Sequence, residues 1–269
     1  MDTKDNYTEL ERIEDKYIIA KQNFTFFEAL AVQHMSPGYS SKSTKYILIN
    51  TQYFDTSDLK CFRDHITKQK DRFKIRIRSY GPNGTWKKDE VFLEIKEKKE
   101  GKVHKFRIRI DPENVKKISG GNFLEFSDFL LKENKHLYTK NKLKEFVDGY
   151  NKIVFDHNHD IHPSVSLTYR RLAFGKGKNF RITLDQNVKA RLARELTPAL
   201  EALTRSPEWQ VAREMHSKYK PSMNAVMETK YQGVNFLPEW LENTFDELDM
   251  DPESFSKYVW AVVESIQSK

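Results

Sequence analysis

In the segment Arg72–Tyr80 the residues alternate strictly: Lys74, Arg76 and Arg78 fall on one parity and Phe73, Ile75 and Ile77 on the other. Residues two apart in a strand share a face, so this is a strand with one ionic and one greasy side. The same alternation recurs along the chain. Glu94, Lys96 and Lys98 stand opposite Leu93, Ile95 and Glu97, and Lys105, Arg107 and Arg109 stand opposite Phe106, Ile108 and Ile110. Arg181, Thr183 and Asp185 stand opposite Phe180, Ile182 and Leu184. Arg12, Glu14 and Lys16 share a face, as do Glu228 and Lys230. Tyr169 and Arg171 share a less clean one with Val165 and Leu167. Eight strands are predicted: Glu9–Ala20, Ser43–Tyr53, Arg72–Tyr80, Glu90–Lys98, Lys102–Ile110, Pro163–Phe174, Asn179–Val188 and Asn224–Gln232. Gly81-Pro82-Asn83-Gly84, Glu100-Gly101 and Gly175-Lys176-Gly177 separate neighbours by short turns, which implies antiparallel hairpins.

Parity alone admits two architectures. In one, an ordinary sheet buries its apolar face and leaves its charges in water. In the other, charges line the inside of a barrel and helices cover its apolar outside. Dense arginine and several amphipathic helices favour the second. Leu143, Phe146, Val147, Tyr150 and Val154 share a helical face, as do Phe123, Phe126 and Leu130, and Phe24, Phe27 and Ala31. A last helix is predicted over 252–267, with Asp251 as N-cap and Pro252 at its first position. A buried face crowded with cations is costly unless anions or metals neutralise it, so this architecture implies a polyanionic ligand.

The bulk numbers agree. A net charge of +7 over 269 residues suits anionic partners. Cys61 is the only cysteine, which excludes an internal disulfide and a cysteine zinc site. No apolar run approaches the roughly 18 residues of a membrane span, and Met1 to Tyr7 is too polar for a signal peptide. The expectation is a cytoplasmic protein with one domain over 1–269. No repeat, phosphate-binding glycine loop, metalloprotease helix or nucleophile elbow occurs.

Arginine offers a planar fork for two phosphate oxygens, and lysine a compact point charge. Arg76, Arg78, Arg171 and Arg181, on separate strands, can surround a phosphate chain. Acids among such cations suggest a divalent metal, Mg²⁺ or Mn²⁺, with Glu228 as first ligand and Glu14 next. Each acid can equally be a salt-bridge partner. His157, His159 and His162 cluster before a strand, where packing competes with a metal-binding role. Trp86, Trp209, Trp240 and Trp260 read as packing residues, and Lys140–Lys144 as a solvated helix face.

Several runs, in order, resemble strands of the VTC domain, the polyphosphate polymerase branch of the triphosphate tunnel metalloenzymes. They are Glu11-Arg12-Ile13-Glu14-Asp15-Lys16-Tyr17, Ile75-Arg76-Ile77-Arg78-Ser79-Tyr80-Gly81, Phe92-Leu93-Glu94-Ile95-Lys96, Tyr169-Arg170-Arg171, Arg181-Ile182-Thr183-Leu184-Asp185 and Met227-Glu228-Thr229-Lys230. Pro238-Glu239-Trp240 and Ser256-Lys257-Tyr258 match as well. The resemblance spans roughly Leu10 to Val263. It implies an α+β fold built on a closed eight-stranded antiparallel barrel, a tunnel with a charged interior flanked by helices. It implies phosphate contacts from Lys16, Arg76, Arg78, Lys96, Arg171 and Arg181, with Tyr169, Ser256, Lys257, Lys230 and, less directly, Lys105 adding to them. Glu228 would hold the metal. The wider superfamily opens with Glu-x-Glu-x-Lys. Here Arg12 replaces the first Glu, which suits this branch and not the hydrolase or cyclase branches.

The activity this implies is transfer of the ATP γ-phosphoryl to a growing polyphosphate chain. The alternatives are a metal-dependent triphosphatase or polyphosphatase, with Glu14 as base, and a non-catalytic polyphosphate-binding module. The partners expected are ATP and triphosphate or polyphosphate, with no specific nucleic-acid binding. Eukaryotic complexes of the family include an SPX domain and a membrane segment that this sequence does not show. The chain is therefore expected to act alone or with a separate membrane protein at the inner face of the membrane.

Overall fold

A computed structural model of the protein describes residues 12–37, 46–81, 91–100, 102–176, 180–195, 198–232 and 237–268. The predicted strand starts before Arg12 and Tyr46, most of the Gly81–Gly84 turn, Trp86, Gly101 and Gly177 lie outside them. In chain order the elements begin with β1 (Arg12–Ala20), α1 (Phe24–His34), β2 (Ser36–Pro37), β3 (Ile47–Asp55) and α2 (Lys60–Ile66). Then come β4 (Arg72–Tyr80), β5 (Val91–Lys99), β6 (Lys102–Arg109), α3 (Pro112–Ser119), α4 (Asp128–Asn134), α5 (Lys140–Asp156), β7 (His162–Lys176) and β8 (Phe180–Leu192). The chain closes with α6 (Pro198–Leu203), α7 (Pro207–His216), β9 (Asn224–Gln232), α8 (Glu239–Glu247) and α9 (Lys257–Gln267).

The strands hydrogen-bond in the order β1-β9-β8-β7-β3-β4-β5-β6, with β2 beside β7. This corrects the expected closed eight-stranded barrel. Among the described residues the path is open, with eight strands ending at β1 and β6, and β2 brings the sheet to nine. Closure requires the terminal strands to pair. Alternation fixes which face a side chain takes but carries no information about which strand sits at an edge.

The chain divides into two compact units. The first contains 1–47, 170–188 and 218–255. Its core joins Tyr17 and Ile19 of β1, Leu172 and Phe174 of β7, Ile182 and Leu184 of β8, and Met227 of β9 to Phe24 and Phe27 of α1 and Leu241 and Phe245 of α8. Tyr17 and Phe245 stack with ring centroids 4.1 Å apart. The second unit contains 48–169, 189–217 and 256–269. There Ile75, Ile77, Leu93, Ile95 and Ile108 pack under Ile118 of α3, Leu130 of α4, and Leu143, Phe146, Val147, Tyr150 and Val154 of α5. In both units, therefore, helices cover the apolar parity of the strands. Burying each such side chain stabilises by about 1.5–3 kcal/mol.

The helices begin where local chemistry permits. Asp111 caps α3 by accepting from the Glu113 amide, with Pro112 at the first turn. Thr139 caps α5 by accepting from the Lys142 amide. Phe123 and Phe126 precede α4, so of the predicted Phe123–Leu130 stripe Leu130 alone is helical. The last helix starts at Lys257 with Ser256 as N-cap, five residues later than Pro252. The reason lies in β1: the Glu253 amide donates to the Lys16 carbonyl at 2.6 Å, which keeps this stretch out of the helix. Among the described residues no helix is long and apolar enough to cross a membrane.

Candidate functional site

The face opposite the apolar core is ionic in both units. In the second unit it is built in rungs across the strands, because residues directly opposite in an antiparallel pair share a face. Tyr53, Arg76, Glu94 and Arg107 form one rung across β3, β4, β5 and β6. Lys74, Lys96 and Lys105 form the next, and Thr51 pairs with Arg78 on the other side. On the described parts of β4, β5 and β6 this face carries a single carboxylate, Glu94. Arg78 and Glu94 are 7% and 3% exposed, so the middle of the ionic side is sheltered from water, while Lys96 and Lys105 at its next rung are exposed.

Arg76 donates to Glu94 through Nε at 2.7 Å, and its Nη1 donates to the Tyr53 hydroxyl at 3.2 Å. Arg107 and Arg78 reach Glu94 at 3.6 and 3.9 Å, and Arg78 Nε donates to Thr51 Oγ1 at 3.2 Å. Burial would raise the Glu94 pKa, but the charges of Arg76, Arg78, Lys105 and Arg107 outweigh it and hold the carboxyl well below its usual range. Tyr53 reports the same field in the same direction. Burial would raise its phenol pKa, yet Arg76, Arg78 and Lys257 bring it below the ordinary value. A buried phenol made more acidic marks a strongly positive potential, the environment an anion seeks.

The start of α9 belongs to this unit. Lys74 Nζ donates to Ser256 Oγ at 3.2 Å and lies 5.7 Å from the centre of the Tyr258 ring. Lys257 Nζ stands 5.6 Å from the centre of the Tyr169 ring. The Ser256 amide donates to His216 Nε2 at 3.1 Å. The Tyr258 hydroxyl donates to the fully buried Asp55, which also accepts from the Cys61 and Phe62 amides at the start of α2.

The first unit carries a more balanced set. Glu14, Lys230 and Arg181 form one rung across β1, β9 and β8, and Lys16, Glu228 and Thr183 form the next. Arg171 grips both oxygens of the buried Asp185 at 2.6 Å and reaches Glu228 at 3.6 Å. Lys230 lies 3.1 Å from Glu14 and 3.7 Å from Glu228, and Lys16 lies 3.7 Å from Glu14. Lys16 Nζ also donates to the Phe255 carbonyl at 2.9 Å.

The predicted residues thus fall into two groups. Arg76, Arg78, Lys96, Lys105, Tyr169, Ser256 and Lys257 lie in one unit, and Glu14, Lys16, Arg171, Arg181, Glu228 and Lys230 in the other. Sequence reading missed Tyr53, Lys74, Glu94, Arg107 and Asp185 as site residues. Parity with Arg76, Lys96, Lys105 and Arg181 was the available signal for the last four. Among the described residues no group of three His, Cys, Asp or Glu side chains could hold a metal. Glu14 and Glu228 nevertheless share one cation, Lys230, between hard oxygen donors. That donor set fits Mg²⁺ or Mn²⁺ where phosphate oxygens complete the shell.

The histidine cluster is held by local backbone and side-chain contacts. His157 and His159 turn Nδ1 to the Ile153 and Gly121 carbonyls at 2.8 and 2.9 Å. His162 lies 3.6 Å from Asp160. Cys61 is buried, and burial lifts its thiol pKa well above the usual value. Trp209 and Trp260 are buried in packing, and Trp240 stacks on His34 at 4.7 Å.

A family model of the VTC domain matches residues 11–265. The chain belongs to the VTC domain family. That domain is part of the tunnel-fold, CYTH-like superfamily, and membership gives the chain a polyphosphate-related function. No curated protein matches the sequence. Among the chains of known structure that match is the PH1819 protein of Pyrococcus horikoshii OT3. It is 12% identical, with a TM-score of 0.41, over 95% of this chain and 98% of that one.

Proposed function

We propose that this VTC-domain protein is a metal-dependent polyphosphate polymerase that uses ATP. The observation that carries the reading is the ionic face of β4, β5 and β6, where Lys74, Arg76, Arg78, Lys96, Lys105 and Arg107 stand on one side of the sheet with a single, buried carboxylate, Glu94. Such a surface is built to hold several phosphates. An oxygen of the terminal phosphate of the chain attacks the γ-phosphorus of ATP, the bridging β–γ bond breaks, ADP leaves, and the chain is one phosphate longer. Phosphoryl transfer of this kind needs alignment and charge neutralisation more than covalent help from the protein. Arg76, Arg78, Arg171 and Arg181 supply forks for non-bridging oxygens, and Lys16, Lys96, Lys105 and Lys257 supply point charges. Glu228, with Glu14, would hold the divalent ion, which would supply charge neutralisation for the transferring phosphoryl group.

Hydrolysis is the second reading, with Glu14, which lies beside the ammonium groups of Lys230 and Lys16, as the candidate base for activating water. The test is a product assay. Pure protein is incubated with ATP and Mn²⁺, and the products are run on a gel stained for polyphosphate. The reading predicts a ladder. Free phosphate without a ladder makes the protein a hydrolase, and no turnover with any divalent metal makes it a binding module.

A further inference from the structure

Glu94 runs against the logic of its surroundings. It lies on the central strand of the ionic face, 3% exposed, and three arginines turn toward it. A carboxylate asks of a guanidinium what a phosphate asks: a planar pair of donors to two oxygens. Glu94 therefore occupies donors of Arg76 that the reading above assigns to substrate. The neighbouring rung across β4, β5 and β6 consists of Lys74, Lys96 and Lys105. Arg107 is held by other means as well, its guanidinium lying 3.7 Å from the Phe92 ring centre and 5.1 Å from that of Tyr80.

Resting on the reading that this face binds phosphate, we propose that Glu94 is a resident counter-ion that competes with phosphate for Arg76 and Arg107. In the ligand-free protein it neutralises guanidinium groups that would otherwise be buried without an anion, and it keeps them aimed. With a chain bound, its negative charge stands a few ångströms from the phosphates and weakens the grip. A site that must release each product and let a polymer advance benefits from a hold below the maximum its cations can give.

The test is titration calorimetry with inorganic triphosphate at fixed ionic strength, together with stopped-flow dissociation. Glu94→Gln keeps an acceptor for Arg76 and removes the charge. It is expected to bind triphosphate about tenfold more tightly, and to release it correspondingly more slowly. Equal or weaker binding overturns the proposal and leaves Glu94 as a scaffold. If Glu94→Gln does not fold, the comparison moves to Arg107→Gln against Glu94→Gln/Arg107→Gln, in which the net charge of the rung is kept. The double variant must then bind more tightly than the single one, and equal or weaker binding again overturns the proposal. The Arg76→Ala variant separates the two levels. If it binds triphosphate as well as the unsubstituted protein, the phosphate reading itself fails. If it binds poorly while Glu94→Gln does not tighten, the counter-ion role alone fails.

Discussion

Replacing Arg171 with alanine tests how the charges of the first unit are held. Asp185 is 0% exposed, and both of its oxygens accept from the Arg171 guanidinium at 2.6 Å. The same guanidinium reaches Glu228 at 3.6 Å. Removing it takes the strongest donors from a carboxylate that cannot turn to bulk water. Breaking one side of a buried ion pair costs about 3–5 kcal/mol, whereas replacing both sides with apolar groups of similar volume is often neutral. At about 2–4 °C per kcal/mol for a chain of this size, Arg171→Ala is expected to lower the melting temperature by about 6–20 °C. Arg171→Met/Asp185→Leu should recover most of that loss. Circular dichroism melts of the wild type, Arg171→Met, Asp185→Leu and the double supply the cycle. Titration with triphosphate on the restored double separates stability from function, because its phosphate binding should remain weak. A melting temperature for Arg171→Ala within about 2 °C of wild type, or strictly additive losses in the double, would refute the reasoning.

Arg76→Ala and Arg181→Ala are each expected to weaken triphosphate binding at least about tenfold by calorimetry, while Lys142→Ala on the exposed face of α5 changes it less than about twofold. Equal effects would mean that general surface charge does the binding. Glu228→Gln should abolish metal-dependent turnover while leaving the melting temperature within a few degrees of wild type, and retained activity would remove Glu228 from the metal site. The Glu94 carboxyl has its folded pKa depressed below the ordinary value of 4.5 by the arginines around it, against the opposing effect of burial. Its contribution to stability is therefore complete above about pH 4.5 and is lost as pH falls toward the folded value. Acid denaturation should accordingly narrow the stability gap between wild type and Glu94→Gln, and parallel pH profiles would contradict the assignment.

Much of this architecture could be read from alternation. β4 and β9 have the predicted bounds, Arg72–Tyr80 and Asn224–Gln232, because a two-residue period of charged and apolar side chains fits one conformation. The helical cover was legible where its stripe was long, as in α5 with Leu143, Phe146, Val147, Tyr150 and Val154. What depended on distant partners was not legible. Asp251 and Pro252 have the chemistry of a helix start, but the Glu253 amide is claimed by the Lys16 carbonyl, more than two hundred positions earlier. α2 escaped notice because it spans only seven residues and its first amides are capped by Asp55 from the end of β3. The open ends of the sheet were hidden for the same reason, since edge and interior strands here share one alternation. At the site, side-chain parity placed Arg76, Arg78 and Arg181 on ionic faces, and left Arg171 on a mixed one with Val165 and Leu167. It could not reveal that Glu94 gathers three arginines or that Asp185 holds Arg171.

The most direct test of phosphate binding by these ionic faces is a crystal structure of the protein soaked with inorganic triphosphate. The account predicts phosphate density within hydrogen-bond distance of Arg76 and Arg78, on the face opposite Ile75 and Ile77 in one unit, and of Arg171 and Arg181 in the other. Density confined to exposed lysines such as Lys142, with the rung of Arg76, Glu94 and Arg107 undisturbed at full ligand occupancy elsewhere, would contradict it.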